Sequence, residues 1–219
     1  MGHPVSIETP SGRIGGWRAD PPIPPKGALV VVQEIFGVNS HIRQVVERFA
    51  AHGFVALAPA LFDHIEPDVE LEYTPEGVAR GRDLMERLGV DRAVADVRAA
   101  ERTLSDVGKV GVVGYCWGGT IAYLANTRLN LPAVSYYGGR TVPFLHERLS
   151  APMMFLFGEN DPIISAEDVA LHREQHPEAT FHVYPAGHGF NCDQRADYDA
   201  VASADALART LAFFERTLK

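Results

Sequence analysis

Apolar residues along this chain fall into two alternating patterns. Short continuous runs, Ala28 to Val32, Phe54 to Leu61, Val110 to Val113, Ala133 to Tyr137 and Met153 to Phe157, have no polar face and predict strands buried on both sides. Between them lie longer stretches of helical composition. From His41 to His52, the residues Ile42, Val45, Val46 and Phe49 share one helical face, and Gly53 stops the helix. Further helices are predicted near Pro75 to Leu88, Arg92 to Leu104, Gly118 to Ala125, Ala166 to Glu174 and Tyr198 to Leu218, with a last strand at Thr180 to Tyr184. Val5 to Trp17 alternate loosely around Pro10-Ser11-Gly12, the signature of a β-hairpin. Asp20 to Gly27, dense in proline, can enter neither a helix nor a central strand and reads as an extended connector. Asp63 to Gly77, polar and irregular, predicts a loop over the sheet.

Strands that alternate with helices predict an α/β fold with a mostly parallel central sheet and helices on both faces. Such sheets take ligands at the carboxyl ends of their strands. No internal repeat, linker or low-complexity tract divides the sequence, so residues 1–219 are expected to form one domain. A chain of this length buries about 70–75% of the surface its unfolded form exposes and needs no disulfide or metal to stand.

Composition narrows the partners. A net charge of −8 argues against nucleic acid and anionic membranes, and an anionic substrate would need a local basic patch. The two cysteines, Cys116 and Cys192, are too few for a disulfide framework and suit a reducing compartment. Met1 to Pro10 has no basic start with an apolar core, and no segment approaches the ~18 apolar residues of a membrane span, so a cytoplasmic protein is expected.

The chemistry concentrates at Lys109 to Thr120. The run Val110 to Val113 ends at Gly114, and helical composition resumes at Gly118, which places Cys116 on the corner between strand and helix. Gly114 and Gly118 remove side chains where the turn is tightest. This is the nucleophile-elbow pattern G-x-S-x-G with cysteine in the serine position. A helix N-terminus favours thiolate over thiol, and the N–H of Trp117 can face a developing oxyanion. A thiol nucleophile needs a base, and the base an orienting acid, which in elbow enzymes follow in the order nucleophile, acid, histidine. Asp161 falls in the loop after one strand and His188 in the loop after the last, in that order. Glu159 is a rival acid two positions before Asp161, and the other eight histidines read as structural or solvated. Glu34 ends a buried strand where an unpaired carboxylate is costly. It either pairs with an arginine or reaches the elbow to hydrogen-bond the thiol, and the following N–H, of Ile35, is a second candidate oxyanion donor.

The segments Gln33-Glu-Ile-Phe-Gly-Val-Asn39, Gly114-Tyr-Cys-Trp-Gly-Gly119, Gly158-Glu-Asn-Asp161 and Ala186-Gly-His-Gly-Phe190 together resemble the dienelactone hydrolase (carboxymethylenebutenolidase) family of α/β-hydrolases, over nearly the whole chain. The resemblance implies an α/β-hydrolase fold and a Cys116, His188 and Asp161 triad. Glu34 would control the ionisation of the thiol, and the N–H groups of Ile35 and Trp117 would form the oxyanion hole. It further implies a cyclic enol lactone bearing a carboxylate as substrate, opened through an acyl-thiol intermediate. Two departures concern the substrate. Family members that open dienelactone carry an arginine four residues after the triad histidine, where this chain has Cys192; Arg195 lies three residues further on. They also pair an arginine with a tyrosine one turn later, whereas Leu84 and Glu86 follow Arg80 and Arg82 here. Arg80, Arg82, Arg195, Phe36 and Tyr136 are the candidate substrate contacts.

The expected activity is therefore a cysteine-dependent hydrolase acting on lactones or activated esters, with no cofactor and no metal, as a monomer or homodimer with a small-molecule substrate. A carboxylesterase or thioesterase of the same fold, or a non-catalytic binding protein on it, are the alternatives. A nucleotide-binding oxidoreductase is disfavoured because Ala28 to Val38 contains only Gly37 in place of G-x-G-x-x-G. A redox or metal-binding thiol protein is disfavoured because the cysteines do not form C-x-x-C.

Overall fold

A computed structural model describes residues 1–219. The chain is a mixed α/β protein with an eight-stranded, mostly parallel sheet and six α-helices. It divides into two compact units, Met1–Gly111 with Leu218–Lys219, and Val112–Thr217. No helix is long and apolar enough to cross a membrane.

The first unit opens with the expected hairpin, β1 (His3–Thr9) and β2 (Gly12–Ala19), antiparallel and closed by Pro10 and Ser11. The Thr9 hydroxyl closes the turn by donating to the Gly12 carbonyl at 2.6 Å and accepting from the Ser11 N–H at 3.2 Å. β3 (Ala28–Val32) and β4 (Val55–Pro59) pair in parallel, and every residue in both is buried, as their uniform apolar character requires. β2 pairs antiparallel with β4, giving the order β1-β2-β4-β3. Between β3 and β4 runs α1 (Ser40–Ala51), capped by Asn39, whose side chain accepts the Ile42 N–H at 3.2 Å. Its buried face is the predicted one, Ile42, Val45, Val46 and Phe49, with His41 and Ala50 added.

Phe54 to Leu61 is only partly strand: after β4 the chain tightens into a 3-10 turn at Leu61–His64, too short to show a period in sequence. The segment that follows is laid along the end of β3, with the Leu71 N–H donating to the Phe36 carbonyl at 2.9 Å and Glu70 bridging to Gly37. Helices α2 (Pro75–Leu88) and α3 (Val90–Thr103) complete this unit, α2 capped by the Thr74 hydroxyl.

β5 (Val110–Tyr115) leads into the second unit, where β6 (Ala133–Tyr136), β7 (Met153–Gly158) and β8 (Thr180–Tyr184) follow in parallel order. The helix after β5, α4 (Trp117–Leu129), is buried on all sides from Trp117 to Asn126, which explains its apolar composition without a polar face. A 3-10 turn at Val142–Phe144 follows β6, α5 (Ala166–Gln175) links β7 to β8, and α6 (Ala200–Thr217) ends the unit.

Candidate active site

The second unit brings Cys116, His188 and Asp161 together from three strand-to-loop junctions. Cys116 occupies the single residue between β5 and α4, with φ 54° and ψ −122°, a conformation that an L-residue adopts only under constraint. Neighbouring backbone supplies that constraint. The Cys116 N–H donates to the Tyr136 carbonyl at 3.0 Å, and its own carbonyl accepts the Gly119 N–H at 2.9 Å. Gly114 makes the turn possible: a Cβ there would lie 1.8 Å from the carbonyl oxygen of Gly118. Cys116 is half-buried, so its sulfur stays reachable.

His188 lies 72 residues away in sequence but presents Nε2 to the Cys116 Sγ at 3.2 Å. Its Nδ1 donates to Asp161 Oδ2 at 2.7 Å. The other Asp161 oxygen, Oδ1, accepts the N–H groups of Ile163 at 2.8 Å and Ile164 at 3.2 Å, so both oxygens are occupied and the carboxylate is fixed in orientation. The loop carrying Asp161 and the loop carrying His188 are joined by backbone bonds, from the Glu159 N–H to the Tyr184 carbonyl at 2.7 Å and from the Asn160 N–H to the Ala186 carbonyl at 3.0 Å. Glu159, the rival acid, is exposed, and Asp161 is the carboxylate that meets the imidazole.

Burial pushes the His188 pKa down, but the hydrogen bonds with Asp161 and with the sulfur outweigh it and raise it from 6.5 to about 10. Tyr137 packs edge-on to the His188 ring, 5.2 Å between centroids, and is itself held at φ 39°. The sequence signal for it is a Tyr-Tyr-Gly-Gly run at the end of a strand, which singled out Tyr136 instead.

The remaining candidates are placed as follows. Trp117 is buried and opens α4, so its N–H sits in the first turn beside the nucleophile. Glu34 is completely buried and accepts the Tyr73 hydroxyl at 3.1 Å; Tyr73 in turn accepts from the Asn39 amide at 3.1 Å. Tyr73 is 39 residues from Glu34, and no local pattern announces the pairing. Ile35 and Phe36 are buried, and the Phe36 ring packs 4.5 Å from that of Tyr73. Tyr136 lies in the core with its hydroxyl bonded to Thr210 of α6 at 2.8 Å. On α2, Arg80 pairs with Glu66 and Asp83, while Arg82 is exposed. The Arg195 guanidinium lies flat against the residue after the base, so close that a Cβ on Gly189 would be 2.8 Å from its Cζ. Cys192 is fully buried.

Comparison with known proteins gives one consistent result. A family model described as the dienelactone hydrolase family matches residues 14–218. The carboxymethylenebutenolidase of Pseudomonas sp. (strain P51) is 34% identical over 225 residues, covering 97% of this chain and 94% of that protein. Carboxymethylenebutenolidase 1 of Cupriavidus pinatubonensis is 30% identical over 211 residues, covering 91% and 90% respectively. Among solved structures, the "Putative Dienelactone Hydrolase" of Klebsiella pneumoniae superposes with a TM-score of 0.88 at 28% identity, over 98% of each chain. With the elbow, the fold and these relatives in agreement, the chain belongs to the dienelactone hydrolase family.

Proposed function

We propose that this protein is a cysteine-dependent hydrolase that opens lactones or activated esters through an acyl-thiol intermediate. The observation that carries the reading is the continuous relay from Cys116 Sγ to His188 Nε2 at 3.2 Å and from His188 Nδ1 to Asp161 Oδ2 at 2.7 Å, set on a strained elbow. Cys116, with its proton passed to His188, attacks the carbonyl carbon and forms a C–S bond. The oxyanion is held by the N–H of Trp117, a type of contact worth about 2.7–4 kcal/mol per donor in acyl transfer. Collapse expels the enol or aryl oxygen, which takes the proton from His188 Nε2. The neutral imidazole then takes a proton from water as the resulting hydroxide adds to the thioester; collapse releases the product as its carboxylic acid, and the His188 proton returns to the sulfur to restore the thiol.

A thiolate is a good leaving group, so an adduct on a stable amide or alkyl ester collapses backwards, whereas enol and aryl esters expel their own oxygen readily. The substrate class is thus activated esters and lactones rather than peptides or ordinary lipids. Arg195, whose guanidinium lies against Gly189, is the residue we assign to an anionic group on the substrate. The reaction needs no cofactor, because nucleophile, base and acid are all side chains. On this reading residues 1–219 work as one hydrolase domain in the cytoplasm.

The test is steady-state hydrolysis of p-nitrophenyl acetate and of dienelactone by wild type and Cys116→Ala. Turnover that vanishes in the variant at unchanged melting temperature is expected; a Cys116→Ala protein that still turns over ends the thiol mechanism. Cleavage of the aryl ester alone would keep the chemistry and assign a different natural ester.

A further inference from the structure

Helix α5, which begins four residues after Asp161's neighbour Pro162, is attached to its unit in an unusual way. Of its ten residues only His172 is fully buried, and the next buried side chain is His176, which ends the helix. Asp168 and Val169 are half-buried and the rest are exposed. An amphipathic helix normally docks through aliphatic side chains. Here two imidazoles one turn apart take their place.

The rings enter an aromatic cage. His172 stands edge-on to Phe155 at 5.2 Å and to Phe157 at 5.1 Å, two residues that share one face of β7. His176 stacks on Phe155 at 6.4 Å and lies 5.4 Å from Tyr123 of α4. His172 Nδ1 donates to the Asp168 carbonyl at 2.7 Å, while its Nε2 is buried with no partner. His176 Nε2 meets the Tyr123 hydroxyl at 3.0 Å, and that hydroxyl also reaches the Phe144 and Glu147 carbonyls. The charged and titratable groups around the cage are Asp168 and Arg173 on α5, Glu178 beyond it, Glu147 paired with Arg128 past Tyr123, and His182 on β8. No carboxylate hydrogen-bonds either ring. A second proton on His172 would sit on a buried nitrogen with no acceptor, and a second charge on His176 would lie one turn away.

We propose that His172 and His176 are positioning residues for Asp161 that act only in their neutral form: protonation expels both rings from the cage, frees α5, and loosens the turn in which Asp161 accepts the Ile163 and Ile164 N–H groups. The inference rests on Asp161 being the acid of the triad. Burial lowers the pKa of both histidines, so the open helix binds protons more readily than the docked one. Docking is therefore stable above the ordinary histidine range and is lost as pH falls below about 6.5.

The experiment is hydrogen–deuterium exchange at pH 7.5 and 5.5, corrected for intrinsic exchange, with kcat/KM on p-nitrophenyl acetate at both pH values. Wild type is compared with His172→Asn/His176→Gln, which keeps the bonds to the Asp168 carbonyl and Tyr123 but cannot titrate. If opening takes up two protons, its equilibrium constant rises by up to about 100-fold per pH unit. Wild-type protection over residues 166–176 should fall by about 10- to 100-fold while residues 110–129 stay protected. The double variant should keep its α5 protection and lose proportionately less kcat/KM at pH 5.5. Uniform protection in wild type overturns the proposal even if the double variant fails to fold. An opening of α5 that leaves both proteins with one pH–rate profile refutes the positioning role. If neither protein turns over ester at any pH, the hydrolase reading and the positioning role fall together, and the exchange data separate that outcome from a failure of the latch.

Discussion

Asp161→Asn isolates the role proposed for Asp161 with the least disturbance. In the wild type one oxygen is held by two backbone N–H groups and the other accepts His188 Nδ1–H at 2.7 Å, both side chains being almost wholly buried. Asparagine keeps its oxygen on the backbone donors and turns its NH2 towards Nδ1. The imidazole must then accept at Nδ1 and keep its one proton on Nε2, facing the sulfur as a donor with no capacity to take a proton. The size of the loss follows from the bond removed: a buried charge-assisted hydrogen bond contributes about 1.5–3 kcal/mol, so kcat/KM falls by about 10- to 150-fold. Aryl-ester hydrolysis at pH 7.5 measures it, with thermal melting as the folding control and nitrogen-15 imidazole signals reporting the tautomer. A variant within threefold of wild type whose His188 keeps its proton on Nδ1 would refute the reasoning.

Two further substitutions probe the elbow. Gly114→Ala sets a methyl group 1.8 Å from a backbone oxygen that cannot step aside, so both the melting temperature and turnover should collapse; a well-folded, active Gly114→Ala enzyme would contradict the close approach described. Cys116→Gly relieves the positive φ, a strain of about 1–3 kcal/mol, so this inactive protein should melt above Cys116→Ala; calorimetry that places it lower would show the turn to be unstrained.

Much of this site was legible in the sequence because its parts sit where local patterns are strongest. Val110 to Val113 could only be a buried strand, the flanking glycines located the turn, and Asp161 and His188 each follow a strand at its carboxyl end. Helix ends were less legible. α4 runs to Leu129, beyond the Ala125 expected, because Asn126, Thr127 and Arg128 look like a terminus yet continue the helix, with the Asn126 amide bonding carbonyls at Leu131, Ala151 and Pro152. Partners distant in sequence were not legible at all. For Glu34 the sequence offered an arginine or the thiol and gave no sign of the Tyr73 hydroxyl that bonds it, a residue in an irregular segment with no period to place it. His172 and His176 read as structural or solvated residues, and only the burial of both in one aromatic cage distinguishes them.

The elbow has one consequence for how such an enzyme changes over generations. The awkward backbone at Cys116 is imposed by its neighbours through the Tyr136 carbonyl, the Gly119 N–H and the bare face of Gly114, so it weighs on the two unbranched side chains, cysteine and serine, alike. Cysteine and serine codons differ by a single base, and neither side chain alters the turn. Lineages on this scaffold can therefore exchange sulfur for oxygen chemistry without passing through an unfolded ancestor, and selection on substrate reactivity, rather than on foldability, decides which nucleophile persists.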